Sequence, residues 1–445
     1  MINMNKHLII LLILLLSGCT SKYGELYNQK SAFYSYVAGN INDNNLSEEY
    51  NSKVYATPAS CQKVITTLIA LKALGPEYKY ATEASVINKN GKIQDVIIKF
   101  SGDPTLTSDK LADLLQPLKN TKINGYIMLD SSFFKTSPYS HNLMLDDIGT
   151  DYATPVSAIN IDKNLISVKI SPKKLGELAA ILADSGYEIK SEVITNSEKT
   201  AVKLTWVDGA IHAKGNINSA EHLLELKISP ANHDKYILNK VRSVLSALNI
   251  KGRVKIIKNK EFNDKLDEYI NRIESTSLKE IIKPALKISD NLVFDSLYLT
   301  VIHSCSDEAI KDWEQGHNII KKLISKHFGI DTDGALFVDG SGLSRYNRTQ
   351  PITLLILLKK GFDIPEFIDA LATPGEENST LKNRTKLSNI IKAKTGNMSG
   401  ISCLCGYSFA KNNPKAFVFM SSSFAPPSKE MFEVMDNFVS KNLGE

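Results

Sequence analysis

The sequence predicts an α+β protein of several domains, in which one domain is interrupted by a large nested insertion. Three observations carry that expectation. The chain has 445 residues, and at roughly 100 to 200 residues per domain it has room for two to four, each able to bury a core. Each end reads as a compact module of strands and amphipathic helices, whereas the middle mixes short strands with short helices. Finally, 43% hydrophobic and 23% charged residues describe a globular chain and exclude a disordered or membrane-embedded one. The 53 basic and 48 acidic side chains leave a net charge of +5, too weak to argue for nucleic acid as a partner. Five cysteines are too few for a disulfide scaffold, so cohesion rests on burial.

Near the start of the chain Lys6 and His7 precede the nine-residue apolar run Leu8 to Leu16, which is followed by Ser17-Gly18-Cys19. That run is too short for a permanent membrane-spanning helix but suits the core of a secretory signal. An ordinary signal peptide or a buried first strand also fits the composition. The ending Leu16-Ser17-Gly18-Cys19 resembles a bacterial lipoprotein lipobox. The resemblance implies a signal peptide over 1–18, cleavage before Cys19, acylation of that residue, and a lipid-anchored tether over 19–30. Several acyl chains make a stable anchor where one is marginal. Thr20 after the cysteine favours the outer membrane of a two-membrane bacterium, so the expected location is the periplasm. Cys61, Cys305, Cys403 and Cys405 remain, read as small buried residues whose pairing sequence cannot assign. Cys403 and Cys405 fall on one face of a strand, an awkward geometry for bridging to each other.

Phe33 to Ala38 reads as a strand, followed by a polar turn at 40–45 and a return towards Ala56. The next segment is helical: Thr57 is a candidate cap, Pro58 fits the first turn, Val64, Ile65, Leu68, Ile69, Leu71 and Leu74 supply the apolar surface, and Gly75-Pro76 stops it. Between about 81 and 260, strands are expected around 95–100, 126–129, 165–170 and 201–206. An amphipathic helix is expected over 234–248, with Ile237, Val241, Val244, Leu245 and Leu248 on one stripe. From Ser277 the chain is helix-rich. It closes with strands over 401–410 and 416–423 about an Asn412-Asn413-Pro414 turn, and a helix from Ser428 with Met431, Val434, Met435 and Phe438 inward.

The eight histidines are scattered, and the chain contains no His-Glu-x-x-His, Cys-x-x-Cys, Gly-x-Ser-x-Gly or phosphate-loop pattern. Ser60-Cys61-Gln62-Lys63 stands out instead. Ser-x-x-Lys alone is weak, since Ser132/Lys135, Ser171/Lys174 and Ser379/Lys382 repeat it, but only Ser60 opens a well-signalled helix. There its backbone N–H lacks an intrahelical acceptor and can stabilise an oxyanion. Lys63 lies one turn on, on the same face. Buried beside another cation it would be neutral enough to take the serine proton. Two further signals occur in order: Ser289-Asp290-Asn291 between two helices, the first opened by the capping pair Ser277 and Glu280, and Lys394-Thr395-Gly396 before the final strand pair.

Together these residues resemble the active-site triplet of the penicillin-recognising serine enzymes. The gap from Ser60 to Ser289 leaves room for an insertion of well over a hundred residues. With Pro58-Ala59-Ser60, Gly102-Asp103-Pro104-Thr105-Leu106, Pro155-Val156-Ser157-Ala158, Asp339-Gly340-Ser341-Gly342-Leu343-Ser344-Arg345 and Ala393-Lys394-Thr395-Gly396, that layout resembles the D-alanyl-D-alanine carboxypeptidase/endopeptidase family typified by penicillin-binding protein 4, serine peptidase family S13.

The resemblance implies a penicillin-binding transpeptidase/β-lactamase-like catalytic domain, with a central antiparallel sheet covered by helices, over 31–80 and 262–445. It implies an inserted domain II over 81–159 and 222–261, and a domain III over 160–221. Ser60 is then the acylated nucleophile, Lys63 its base and Ser289 a proton relay. Asn291 holds a substrate amide, Lys394 and Thr395 bind the terminal carboxylate beside Gly396, and the N–H groups of Ser60 and Asn397 form the oxyanion hole. Asn397 departs from the family's usual threonine. Asp147, or its neighbour Asp146, is the candidate acid facing the amino group of the peptide's diamino acid. The Gly102 and Asp339 segments read as tight turns. The implied partners are peptidoglycan stem peptides and β-lactam antibiotics as covalent inhibitors, with no metal or cofactor. A β-lactamase on the same core and a non-catalytic peptidoglycan-binding lipoprotein are the competing readings. The first needs an efficient deacylating base, and the second has no use for Ser60 and Lys63 together.

Overall fold

The computed structural model of the protein describes residues 32–43, 45–184, 186–258, 268–306, 310, 312–410, 413–424 and 428–443. The expected signal (1–18), the tether (19–30) and Cys19 lie outside the described residues, as does Asn412 of the expected closing turn. No helix among the described residues is long and apolar enough to cross a membrane.

The chain begins with β1 (Phe33–Asn40), β2 (Glu48–Tyr50) and helix α1 (Gln62–Ala73). It then leaves for a long excursion: β3 (Ala81–Lys89), β4 (Lys92–Lys99), α2 (Ser108–Leu115), β5 (Lys122–Asp130), β6 (Ile166–Ser171), β7 (Ala180–Ala183), β8 (Ile189–Asn196), β9 (Ala201–Val207), β10 (Ala210–Asn218), β11 (Leu224–Ile228), α3 (His233–Ala247), β12 (Lys251–Ile257) and β13 (Glu268–Glu274). It returns through α4 (Leu278–Ile288), α5 (Asn291–Ser304), α6 (Trp313–Phe328), α7 (Pro351–Gly361), α8 (Pro365–Ala370), β14 (Ile391–Met398), β15 (Ile401–Ser408), β16 (Lys415–Ser422) and α9 (Ser428–Leu443).

The two ends of the chain build one sheet. Its order is β14-β15-β16-β1-β2, and β1 lies antiparallel to β16 with Val37 opposite Val418. Alternation along the strands sorts the side chains. Val37, Cys403, Cys405 and Val418 face a core shared with α1, α4, α5, α6 and α7, whereas Tyr36, Leu404 and Phe419 face Met435, Phe438 and Leu443 of α9. Covered on both faces, β15 is buried at every position, Ser402 and Ser408 included.

The excursion builds a mixed sheet of order β12-β5-β4-β3-β13 and two three-stranded sheets, β11-β6-β7 and β8-β10-β9. One apolar cluster joins them: Val96 and Ile98, Leu111 and Leu114, Tyr236 and Val241, Val168 and Ile170, and Val193 and Ile211 all belong to it. The mixed sheet ends with β13, whose Glu274 pairs with Ala81, so its membership runs past residue 261 to Glu274. Its pairing partner is far away in sequence, which local patterning does not reveal. Helix α3 starts one residue earlier than the apolar stripe predicts because the Asn232 side chain accepts from the Lys235 N–H, 2.9 Å away.

Candidate active site

Thr57 does not cap the first helix. Its hydroxyl donates to the Arg345 carbonyl at 3.3 Å, and the helix opens instead with a 3-10 turn, Ala59–Cys61, closed by a bond from the Cys61 N–H to the Pro58 carbonyl. Ala59 adopts φ +46, a left-handed conformation that a side chain resists and that persists only where its surroundings enforce it. Here the enforcement comes from the loop 339–344: a Cβ on Gly342, itself at φ +80, would lie 1.9 Å from the Ala59 carbonyl oxygen. Ser60, the expected nucleophile, thus sits on a strained first turn with its N–H at the positive end of α1. Strand β14 presses on the same turn. A Cβ on Gly396 would fall 3.1 Å from the Ser60 nitrogen and 2.7 Å from the Pro58 oxygen, so only glycine leaves room beside that N–H. Asn397 follows it on the strand, exposed.

Lys63 is fully buried. Its Nζ has three oxygen neighbours: Ser60 Oγ at 2.8 Å, Asn291 Oδ1 at 2.7 Å and the Ser341 carbonyl at 2.6 Å. A neutral amine has two N–H bonds and one lone pair. Two of the three neighbours are carbonyl-type oxygens that only accept, so they take both N–H bonds and the lone pair is left facing the Ser60 hydroxyl. Burial, and secondarily the Lys394 ammonium, lowers the Lys63 pKa to about 7, which makes that free amine available near neutrality. Asn291 is held in the required orientation by its Nδ2, which donates to the Tyr152 carbonyl at 2.9 Å.

Ser289-Asp290-Asn291 is a helix-to-helix junction. Ser289 ends α4 in the left-handed region (φ 64, ψ 44) and Asp290 caps α5 by accepting from the Val293 N–H. The same turn turns the Ser289 hydroxyl to 3.0 Å from Lys394 Nζ. Asp290 also pairs with Lys163 at 2.8 Å, tying the junction to the insertion. Lys394 is itself buried, and burial lowers its pKa to about 8. Its Nζ also donates to the Thr395 carbonyl at 2.6 Å, and the Thr395 hydroxyl bonds that of Thr380 at 2.7 Å. The site therefore has a serine on a strained turn, an amine aimed at its hydroxyl, a second hydroxyl and a cation, an arrangement chemically able to carry out acyl transfer to and from serine.

The structure brings Ser60, Lys63, Ser289, Asn291, Lys394, Thr395 and Gly396 together. Asp147 reaches them only at one remove: its Oδ1 accepts from the Tyr152 hydroxyl at 2.8 Å. A cleft of about 320 Å³ runs from Ser289 and Asn291 past Tyr152 and Thr154 to Asp151 and Lys163. Sequence reasoning passed over Tyr152, Thr380 and Asp295, and read Ser341 only as part of a tight turn. The one available signal was Asp295, which follows Asn291 by four positions on the same face of α5. The two segments read as turns are turns: Asp103 accepts from the Thr105 N–H at 2.8 Å, and Asp339 from the Gly342 and Ser344 N–H groups at 2.7 Å each. Cys61, Cys403 and Cys405 are buried as read, and free, whereas Cys305 is exposed, because it falls at the end of α5 where the helix leaves the core.

The family model for the D-Ala-D-Ala carboxypeptidase 3 (S13) family matches residues 21–442. The chain is 28% identical over 413 residues to the D-alanyl-D-alanine carboxypeptidase DacB of Haemophilus influenzae, covering 86% of this chain and 84% of that one. It is similar to the crystal structure of penicillin binding protein 4 (dacB) from Haemophilus influenzae, with a TM-score of 0.83 at 24% identity, over 95% of this chain and 99% of the other. A second structure of that protein, complexed with a β-lactam, gives a TM-score of 0.79 at 24% identity over 95% of this chain and 99% of that one.

Proposed function

The chain belongs to the S13 family of D-Ala-D-Ala carboxypeptidases and is a serine-type DD-peptidase, and from that premise we propose that it hydrolyses peptidoglycan stem peptides through an acyl-enzyme on Ser60. The observation that carries the reading is the trio of oxygens around Lys63 Nζ, which leaves the amine lone pair for the Ser60 proton. As that proton moves to Lys63, Ser60 Oγ bonds to the carbonyl carbon of the penultimate D-alanine. The oxyanion faces the N–H groups of Ser60 and Asn397, in the space kept open by Gly396. The proton then passes through the Ser289 hydroxyl to the departing amine, the C–N bond breaks, and D-alanine leaves. Water then attacks the ester carbonyl as Lys63 takes its proton, the bond from the acyl carbon to Ser60 Oγ breaks, the proton returns from Lys63 to Ser60 Oγ, and the shortened peptide leaves as its carboxylate. Lys394 and Thr395 hold the terminal carboxylate, the first as a buried cation.

The same chemistry applies to the D-Ala–diamino acid bond of a cross-link, with Asp147 proposed as the acid that meets the free amino group through the neighbourhood of Tyr152. It applies also to a β-lactam, whose opened ring keeps its leaving amine tethered. The Leu16-Ser17-Gly18-Cys19 ending supports a lipid anchor on Cys19 and a periplasmic location. One experiment tests these points together: labelling of fractionated cells with a fluorescent penicillin, alongside D-alanine release from purified muropeptides. Wild type should label in the membrane fraction, Cys19→Ser should label in the soluble fraction, and Ser60→Ala should neither label nor release D-alanine. Equal labelling of Ser60→Ala would sink the acyl-enzyme.

A further inference from the structure

Of the two carbonyl oxygens that aim the Lys63 amine, Asn291 Oδ1 belongs to a side chain whose orientation is already accounted for. The other, the Ser341 carbonyl, belongs to a loop with no regular secondary structure, and something must fix its peptide plane. The loop 339–344 lies hard against α5: a Cβ on Gly340 would fall 2.1 Å from the Phe294 carbonyl oxygen. At the next residue of α5, Asp295 Oδ1 accepts from two successive loop amides, Gly340 N–H at 3.0 Å and Ser341 N–H at 2.8 Å. The Gly340 carbonyl is taken by the Thr66 hydroxyl at 2.8 Å, and Asp339 accepts at 2.7 Å from the Gly342 N–H, which shares the peptide plane of the Ser341 carbonyl, before gripping Ser344 and Asn347 beyond it.

We infer that Asp295 is a positioning residue for the acyl-transfer step: by clamping the Gly340 and Ser341 amides it fixes the two peptide units that lead into the Ser341 carbonyl, whose own unit Asp339 holds through the Gly342 N–H, and so keeps that carbonyl where it points the Lys63 lone pair at Ser60. One face of α5 then supplies both constraints on the base, directly through Asn291 and, four residues on, indirectly through Asp295. The inference rests on Lys63 being the base.

The charged and titratable groups around Asp295 are Lys63 on α1, Asp339 in the loop, and Tyr298 on its own helix, with Lys394 of β14 beyond Lys63. Burial, then the Asp339 carboxylate, raises the Asp295 pKa well above the ordinary carboxylate range, while Asp339 keeps three loop donors. A neutral carboxyl still accepts two N–H bonds, so the clamp works without a full charge that would hold Lys63 protonated. Asparagine preserves the accepting oxygen, whereas alanine removes it.

The test is the acylation rate constant with a penicillin and kcat and KM for D-alanine release, each across pH. At pH 8, Asp295→Asn should stay within about threefold of wild type. Asp295→Ala should lose at least about tenfold in the acylation rate constant with KM little changed, and its acid limb should move to lower pH, because an acceptor that favours the ammonium has been lost. Should Asp295→Ala not fold, Asp295→Ser, too short to hold both amides, is expected to show the same loss. An alanine or serine variant with wild-type rate and an unmoved acid limb overturns the inference, as does an asparagine variant as slow as alanine. If Lys63→Ala acylates normally, the base assignment itself falls. If Lys63→Ala is inactive and Asp295→Ala is normal, only the clamp falls.

Discussion

The two buried lysines predict a narrow pH optimum, and the sign of each limb follows from its proposed role. Lys63 must be a free amine to accept the Ser60 proton, and burial next to Lys394 brings its pKa down to about 7. Lys394 must be an ammonium to hold a carboxylate, and burial brings it to about 8. In the free enzyme kcat/KM should therefore rise as pH climbs through about 7 and fall as it passes about 8. From pH 7 to pH 6 the free-amine fraction of Lys63 drops from about one half to roughly one tenth, so kcat/KM should fall about fivefold. A similar loss is expected from pH 8 to pH 9 as Lys394 gives up its proton. The assay is D-alanine release from a D-Ala-D-Ala-terminated peptide at constant ionic strength, measured well below KM. The second-order acylation constant for a penicillin should follow the same acid limb. An acid limb near pH 10, where an ordinary lysine titrates, or an undiminished rate at pH 5 would refute Lys63 as the base.

Two further outcomes follow from other parts of the molecule. Asp147→Ala should weaken turnover of peptides carrying diaminopimelate relative to those without a free side-chain amino group, measured as the ratio of kcat/KM values; an unchanged ratio removes Asp147 from the substrate site. Asp436 forms a bidentate pair with Arg384, both buried, with Nε to Oδ2 at 2.6 Å. Asp436→Ala leaves a buried guanidinium unpaired and should cost about 3–5 kcal/mol in urea unfolding, whereas the double change Arg384→Met with Asp436→Leu should restore most of it.

Much of the active site was legible because its chemistry is local. Ser60 and Lys63 share one helix face, Ser289 and Asn291 share one junction, and Lys394 to Gly396 share one strand, so spacing alone brings each set together. The lysines' environment was not legible. Lys63 is buried because α5 and the loop 339–344 close over it, and Lys394 because β14 packs on the turn that carries Ser60. Thr57 had the composition of a cap, but its hydroxyl went to Arg345, far along the chain. Cys305 had the small, apolar character of a buried residue, and only the end of α5 left it exposed.

What the sequence by itself determined is the helix-rich and strand-rich ends around a long middle segment and the set of candidate groups that the fold brings together, because helix starts, apolar alternation and short motifs are set by neighbours along the chain. What only the tertiary structure decided is their electrostatics and aim. The pKa of Lys63, the direction of its lone pair, the grip of Asp295 on Ser341 and the room beside Gly396 all depend on contacts between segments far apart in sequence. No periodicity within either partner encodes such a contact. Desolvation and hydrogen-bond geometry are properties of the assembled site.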